Sequence, residues 1–453
     1  MDLQLLLRVL RLRRQLARQE TWSWPRLQAH QDRALRALRV HAYAASPFYR
    51  RFHEGLFDAP LSALPVLTKA QLMENFDEVV TDRDIRLAQV RSFLEQMRGA
   101  ERLKGRYYVA ATAGTTGRPG IFLWDVDEWA GILASYSRPY AWGGAALRLT
   151  KRTKMAVVSS TTPWHQSALV GATVDSPFIP TLRLDSSDPM EDLVARLDTF
   201  EPDVLVGYAS MLRLLAVEAM ERRLHIKPKA IFSASEVLTD ESRRRIGAAW
   251  GRKPMNVYAA TETAGIAAEC EHHTGLHLFE DLVITEVVDG SYRPVPVGEF
   301  GSKVLVTVLG SRTMPLIRYE LSDSVRLAPA EPCPCGRAFA RIDSLQGREE
   351  DSLALAKVDG GRITVQPGIF HRVMDLVPVV EWQVVHDDRG LTILVAGQES
   401  GFQSEDLRNR LHEELVRTGA VVPVIRVESV EKIPRTPLGK APLIRSIADH
   451  TGN

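Results

Sequence analysis

Residues 203–223 read DVLVGYASMLRLLAVEAMERR, a short apolar run of strand length followed at once by apolar residues three and four apart. The first half suits a buried strand and the second an amphipathic helix packed against it. Working outward, the same alternation recurs. KMAVVSS (154–160) precedes MEDLVARLDTF (190–200), KAIFSAS (229–235) precedes ESRRRIGAAW (241–250), and MNVYAA (255–260) closes the series. Strands alternating with helices predict βαβ units and a mostly parallel sheet, with ligands bound at the carboxyl ends of the strands. The fold class is therefore α/β.

The chain has 453 residues, 45% hydrophobic and 25% charged, which fits a globular protein and excludes a disordered or fibrous one. At roughly 150 residues per domain, this is about three units, or one large α/β domain with a small satellite. The formal net charge is +1, so no global field favours nucleic acid or an anionic membrane. Three cysteines, Cys270, Cys333 and Cys335, argue against a disulfide framework and for a reducing compartment, hence the cytoplasm. The opening MDLQLLLRVLRLRRQLARQE is broken by Arg8 and Arg11, too charged to span a bilayer, and reads as an amphipathic helix packed on the domain. No nucleic-acid or membrane partner is expected, and the chain is a monomer or a homodimer.

Beyond Asp281 the pattern turns β-rich, with DLVITEVVDG and KVLVTVLG suggesting a barrel-like subdomain. A charged joint, Gly347-Arg348-Glu349-Glu350-Asp351, follows. The rest predicts a compact β-α-β-β-α-β unit, in which VVEWQVVHD and LTILVAG flank the turn Asp387-Asp388-Arg389-Gly390. A helix runs from Ser404 as N-cap to Gly419 as C′, burying Leu407, Leu411 and Leu415. The division this implies is 1–346 for a large N-terminal domain and 347–453 for a small α+β domain on a hinge.

After YYVAA comes Thr112-Ala113-Gly114-Thr115-Thr116-Gly117-Arg118-Pro119-Gly120. Glycines there let the backbone approach a polyanion, while N–H groups and hydroxyls coordinate phosphate oxygens. No Gly-Lys-Ser/Thr closes the loop, so it is not a Walker A motif. Four segments follow in order: Ser233-Ala234-Ser235-Glu236, Tyr258-Ala259-Ala260-Thr261-Glu262, Arg318-Tyr319-Glu320-Leu321-Ser322-Asp323, and the joint at Gly347-Arg348-Glu349-Glu350-Asp351. Pro434-Arg435-Thr436-Pro437-Leu438-Gly439-Lys440 ends the series. Over nearly the whole chain this order resembles the adenylate-forming superfamily of acyl-CoA synthetases, adenylation domains and luciferases. SPFYRRFHEGL, GLHLFEDLVITEVVDG, MPLIRYELSD and PCPCGRAFARIDSLQGR are most similar to the phenylacetate–coenzyme A ligase group.

The resemblance implies an ATP- and Mg²⁺-dependent ligase that makes an acyl-adenylate and passes the acyl group to coenzyme A. A carrier-protein thiol or an amine is the alternative acceptor, and a non-catalytic nucleotide-binding or assembly protein is the alternative of another class. Thr112, Ala113, Gly114, Thr115, Thr116, Gly117 and Arg118 would hold the β- and γ-phosphates. Ser233, Ala234, Ser235 and Glu236 would lie along adenine, with Tyr258 near the base and Thr261 at the α-phosphate. Glu262, a hard oxygen ligand, would hold Mg²⁺. Asp323 would accept from the ribose hydroxyls, and Arg348 would reach ribose or phosphate. Lys440 would meet the charge developing at the α-phosphate, and Glu350 would be the hinge. Trp164, His165 and Tyr208 lie where relatives build the acyl pocket, an aromatic wall suited to an aryl or arylacetic acid.

Four places depart from the family pattern, the first being Thr112-Ala113, where paired serines are common. Arg118 replaces the usual lysine, which trades a point charge for a planar fork. Tyr319-Glu320-Leu321-Ser322-Asp323 keeps only the aromatic and the carboxylate of its motif, and Glu350 stands where Asp or Lys is usual. The cysteines form a second constellation. Cys333-Pro334-Cys335, Cys270 and a histidine would make a tetrahedral Cys₃His set suited to structural Zn²⁺. His277 is the first choice for the imidazole and His272 the second.

Overall fold

The computed structural model describes residues 3–112, 119–145, 152–348, 352–436 and 439–446. A nine-stranded sheet organises the larger part of the chain. Thr181–Asp185 lies at its edge, followed by Met155–Ser159, Val204–Gly207, Ala230–Ala234 and Met255–Ala260, each parallel to its neighbour. The inner strands are Val-, Ile- and Leu-rich because helices cover a parallel sheet on its faces. The helices predicted between them are present: Met190–Phe200, Ala209–Met220 and Asp240–Trp250. The edge strand TLRLD was not foreseen, because its mixture of apolar and charged residues suits an edge and leaves no continuous apolar run.

After Met255–Ala260 the sheet continues antiparallel through Ala264–Glu269, Leu276–Leu278, Arg341–Arg348 and Asp323–Leu327. The β-rich stretch beyond Asp281 is a three-stranded antiparallel sheet of Val283–Val288, Lys303–Val308 and Tyr319–Leu321. It does not close into a barrel among the described residues, because the next two strands pair with the large sheet instead. This return carries Asp323 and Arg348 to the site.

The C-terminal elements form their own core around Phe370, Trp382, Ile393 and Leu411. A four-stranded sheet runs Ile425–Ser429, Gly390–Gln398, Val379–Asp387, Ile444–Ser446. The predicted hairpin is present, with Asp387 opposite Gly390 and Asp388-Arg389 between them. A strand pair, Leu353–Ala356 and Arg362–Val365, precedes the helix Pro367–Met374, and Ile444–Ser446 follows Ile425–Ser429, so the order holds two strands more than expected. The helix Ser404–Arg417 begins one residue earlier than expected, so Ser404 is its first residue and Gln403 holds the cap position. Glu405 and Asp406 in its first turn satisfy the helix dipole without a capping side chain. Gly419 has φ +81°, the left-handed conformation foreseen at C′.

The N-terminal helix Leu3–Gln19 packs on Val126–Trp142, burying Leu5, Val9 and Leu16 as its amphipathic pattern predicts. Below it, the buried Arg138 grips both carboxylate oxygens of Asp281, at 2.9 and 2.6 Å. No helix among the described residues is long and apolar enough to cross a membrane. The C-terminal elements dock against the parallel sheet's helices through polar contacts. Arg245 binds both oxygens of Glu399, and Arg213 donates to the Val379 carbonyl.

Candidate functional site

A cleft of about 1820 Å³ opens where the strands of the large sheet end and the C-terminal elements approach. Sheet register builds its first part. Asp323 and Arg348 are paired across two antiparallel strands, and Arg348 Nε lies 3.6 Å from Asp323 Oδ1. Tyr258, four strands away in the sheet, donates its hydroxyl to Asp323 Oδ2 at 2.7 Å. Tyr258 is thus a hydrogen-bonded wall of the site, with its phenol held protonated by burial and by Asp323.

Glu262 lies just past the strand Met255–Ala260 and is 8% exposed. Burial raises its pKa, Asp323 adds to the rise, and Arg348 and Lys69 oppose it. Tyr319, the aromatic retained from the altered motif, hydrogen-bonds its carboxylate. Lys69, at the start of the helix Lys69–Glu74, also lines the cleft. It went unnoticed in the sequence because a lysine after a capping Thr68 has no local mark of a site. Gln166 donates to the Thr261 carbonyl at 3.0 Å and accepts from Tyr136 at 2.8 Å, which fixes the backbone beside Glu262.

Residues 113–118, and with them Ala113, Gly114, Thr115, Thr116, Gly117 and Arg118, lie outside the described residues, as does Glu350. Thr112 closes the base of that loop. Its N–H donates to the Gly120 carbonyl at 2.9 Å, and its hydroxyl accepts from the Gly120 N–H at 2.8 Å. Ser235 and Glu236 line the cleft, with Ser235 in the left-handed region at φ +68°. Ser233 is fully buried in its strand, and Ala234 ends that strand.

Lys440 enters the cleft from the C-terminal elements, with Nζ 5.6 Å from the centre of the Tyr208 ring. Tyr208 is buried, and its hydroxyl accepts from the Ser160 N–H at 3.1 Å. His165 is neutral, because burial and then the Lys440 ammonium push it down to about 3. Trp164 is half-buried against the core, where its carbonyl accepts from Ala111 N–H.

Apart from the cleft, Cys270, His277, Cys333 and Cys335 bring their ligand atoms within 4.8 Å of one another. Cys270 Sγ lies 3.6 Å from Cys333 Sγ, and Cys335 Sγ lies 3.4 Å from His277 Nε2. A tetrahedral Zn²⁺ with its usual bond lengths needs edges of roughly 3.8 Å for S···S and roughly 3.5 Å for S···N. His277 Nδ1 is 3.4 Å from the Phe339 carbonyl, so the ring offers its Nε2 lone pair to the cluster. The donor set fits the metal, and His277, not His272, completes it.

No family model matches this chain. A phenylacetate–coenzyme A ligase of Thermus thermophilus is 26% identical over 453 residues, covering 96% of this chain and 92% of that protein. One of Escherichia coli K12 is 28% identical over 364 residues, covering 75% of each. Protein CapK of Staphylococcus aureus is 24% identical over 84% of this chain and 79% of its own length. Among solved structures, a 2-hydroxyisobutyryl-CoA ligase in the postadenylation state aligns with TM-score 0.72 at 22% identity, over 96% of this chain and 92% of that one. In its thioesterification state the same ligase scores 0.61 over the same shares. The fold is that of these adenylate-forming ligases, and the sequence is similar to the curated phenylacetate–coenzyme A ligases over most of the chain. Within the superfamily it lies close to the phenylacetate–coenzyme A ligase group.

Proposed function

We propose that this chain is an ATP-dependent, AMP-forming acid–thiol ligase. The observation that carries the reading is a single cleft lined by Lys440, Glu262, Asp323 and Arg348, contributed by distant segments. In the first half-reaction a carboxylate attacks the α-phosphate of ATP, giving acyl-adenylate and pyrophosphate. In the second, a thiol displaces AMP. Asp323, held by Tyr258 and Arg348, accepts from the ribose hydroxyls. Lys440 offers its ammonium to the charge that develops at the α-phosphate, and Thr261 contacts that phosphate. The loop from Thr112 to Arg118 cradles the outer phosphates, and Ser233–Ser235 marks the adenine side. Glu262 is the carboxylate that would hold Mg²⁺, which neutralises phosphate charge when bound.

Residues 1–346 form the ATP- and acid-binding domain in this reading, and residues 347–453 a mobile domain that carries Lys440 and turns about Glu350 between half-reactions. The neutral His165 lines the cleft, and the buried Tyr208 ring lies 5.6 Å from Lys440 Nζ; with Trp164 these aromatic groups favour a flat aryl or arylacetic acid. Coenzyme A is the acceptor, in keeping with the names of the relatives. Zn²⁺ at Cys270, His277, Cys333 and Cys335 has a structural role, tying the segment after Glu262 to the Cys333–Cys335 turn.

The test is acid-dependent pyrophosphate–ATP exchange over a panel of aryl and aliphatic acids, followed by thioester formation with and without coenzyme A. Exchange with an arylacetic acid and a thioester only with coenzyme A are expected. No exchange from folded protein with any acid overturns the ligase reading. Exchange without a coenzyme A thioester transfers the reading to a carrier-protein or amine acceptor.

A further inference from the structure

Glu236 stands beside the cleft, yet its two carboxylate oxygens face two different parts of the chain. Oε2 accepts from the Ser210 N–H at 2.9 Å, in the first turn of the helix Ala209–Met220. Oε1 accepts from the Ala441 N–H at 3.1 Å, the residue after Lys440. One side chain therefore bridges the parallel sheet's helix layer and the segment that delivers Lys440. The negative charge is favoured at a helix N-terminus, and charge-assisted bonds to backbone N–H are stronger than neutral ones.

The opposite side of the same segment is gripped by Arg435. It donates to Ser210 Oγ at 3.3 Å, to the Gly439 carbonyl at 3.0 Å and to Glu381 Oε1 at 2.7 Å. Between these anchors Thr436, Gly439 and Lys440 bond to one another. Thr436 N–H donates to the Lys440 carbonyl and Gly439 N–H to the Thr436 carbonyl, both at 2.8 Å. Lys440 N–H reaches Thr436 Oγ1 at 3.2 Å. The backbone of Lys440 is thus tied to Thr436, and Glu236 and Arg435 fasten the residues on either side to Ser210.

Resting on the ligase reading above, we propose that Glu236 is a positioning residue that straps the Lys440 segment into the cleft for adenylation, and is not a nucleotide ligand. The strap exists only in the arrangement that puts Lys440 in the cleft. Rotation toward a thioester-forming arrangement must break the Glu236–Ala441 bond while leaving Glu236–Ser210 intact. Losing the strap therefore weakens one half-reaction and spares the other.

Glu236→Ala and Glu236→Gln test this in the full-length protein. A glutamine carbonyl replaces only one of the two acceptors, so its effect should lie between wild type and alanine. For Glu236→Ala, the kcat of acid-dependent pyrophosphate exchange should fall by about tenfold to a hundredfold, with the KM for ATP essentially unchanged. Thioester formation from supplied acyl-adenylate should be undiminished. Without any substrate, hydrogen exchange in residues 439–446 should quicken while the rest of the chain keeps its protection. A raised KM for ATP with kcat retained would make Glu236 a nucleotide ligand and overturn the proposal. Equal loss of both half-reactions, or hydrogen exchange unchanged in that segment, would overturn it too. The hydrogen-exchange arm reads the strap even if wild-type protein catalyses no pyrophosphate exchange, so failure of the ligase reading is seen separately.

Discussion

Tyr258 donates its hydroxyl to Asp323 at 2.7 Å, joining two strands that are remote in sequence and neither adjacent in the sheet. The bond aims the Asp323 carboxylate while Arg348 approaches its other oxygen at 3.6 Å. Tyr258→Phe keeps the ring and removes the donor. A hydrogen bond to a charged group contributes about 1.5–3 kcal/mol, so the KM for ATP should rise by roughly tenfold or more. The kcat should change less, as steady-state kinetics of the exchange reaction will show. An unchanged KM would remove Asp323 from the ribose site.

Lys440→Ala should cut adenylation by at least about a hundredfold, the scale of losing one transition-state donor. Reaction of supplied acyl-adenylate with the thiol should stay largely intact, because that step does not develop charge at the same place. Rapid-quench measurement of each half-reaction distinguishes the outcomes, and equal slowing of both refutes the assignment.

Gly439→Ala is expected to act on the same step by a steric route. Gly439 has φ +72°, and a Cβ there would stand 1.9 Å from Ser186 Oγ. Alanine is disfavoured by both the backbone conformation and the contact, so the segment cannot dock as it does now. Adenylation should fall by at least about tenfold with thiolation retained. Replacing Ser186 by glycine in the same protein should restore part of the loss, and no rescue would show that the contact is not the cause.

Protein purified without a histidine tag should contain about one Zn²⁺ per chain, measured by elemental analysis. Cys333→Ser should lower both zinc content and melting temperature, while leaving any residual adenylation dependent on acid and ATP. Metal-free protein with three freely titrating thiols would exclude the site.

Glu280 supplies a pH test away from the cleft. Burial and then Asp281 raise its pKa to about 7, against a bond from the Ala340 N–H that lowers it. The folded state holds this proton where the unfolded chain has released it. Its contribution is full below the unfolded value of 4.5 and is lost as pH rises toward about 7. Glu280→Gln keeps an acceptor for Ala340 without the charge. The variant should match wild type near pH 4.5 and exceed it at pH 8, by on the order of 3 kcal/mol at most. Urea denaturation at several pH values measures the difference, and parallel pH curves would mean that Glu280 titrates normally.

The alternating strands and helices between residues 154 and 260 were legible because each is a local pattern with its own period. The hairpin at Asp387–Gly390 and the left-handed Gly419 were legible for a similar reason, since turn chemistry lies within a few residues. The strand Thr181–Asp185 was not, because an edge strand is half exposed and lacks the continuous apolar run. Likewise, Tyr319 and Asp323 stood out by motif resemblance, whereas Lys69 and Gln166 carry no such mark.

By itself, the sequence determined the fold class, the kind of chemistry and the residue types able to perform it, because periodicity and short motifs are properties of neighbouring residues. Only the tertiary structure decided which groups meet. Sheet register sets Asp323 against Arg348. The return of the chain across 63 residues brings Cys270 to Cys333, and selects His277 over His272. The docking of the C-terminal elements turns Glu236 toward the Ala441 N–H. Each is a contact between groups far apart along the chain, fixed by packing and hydrogen bonding that no local pattern encodes.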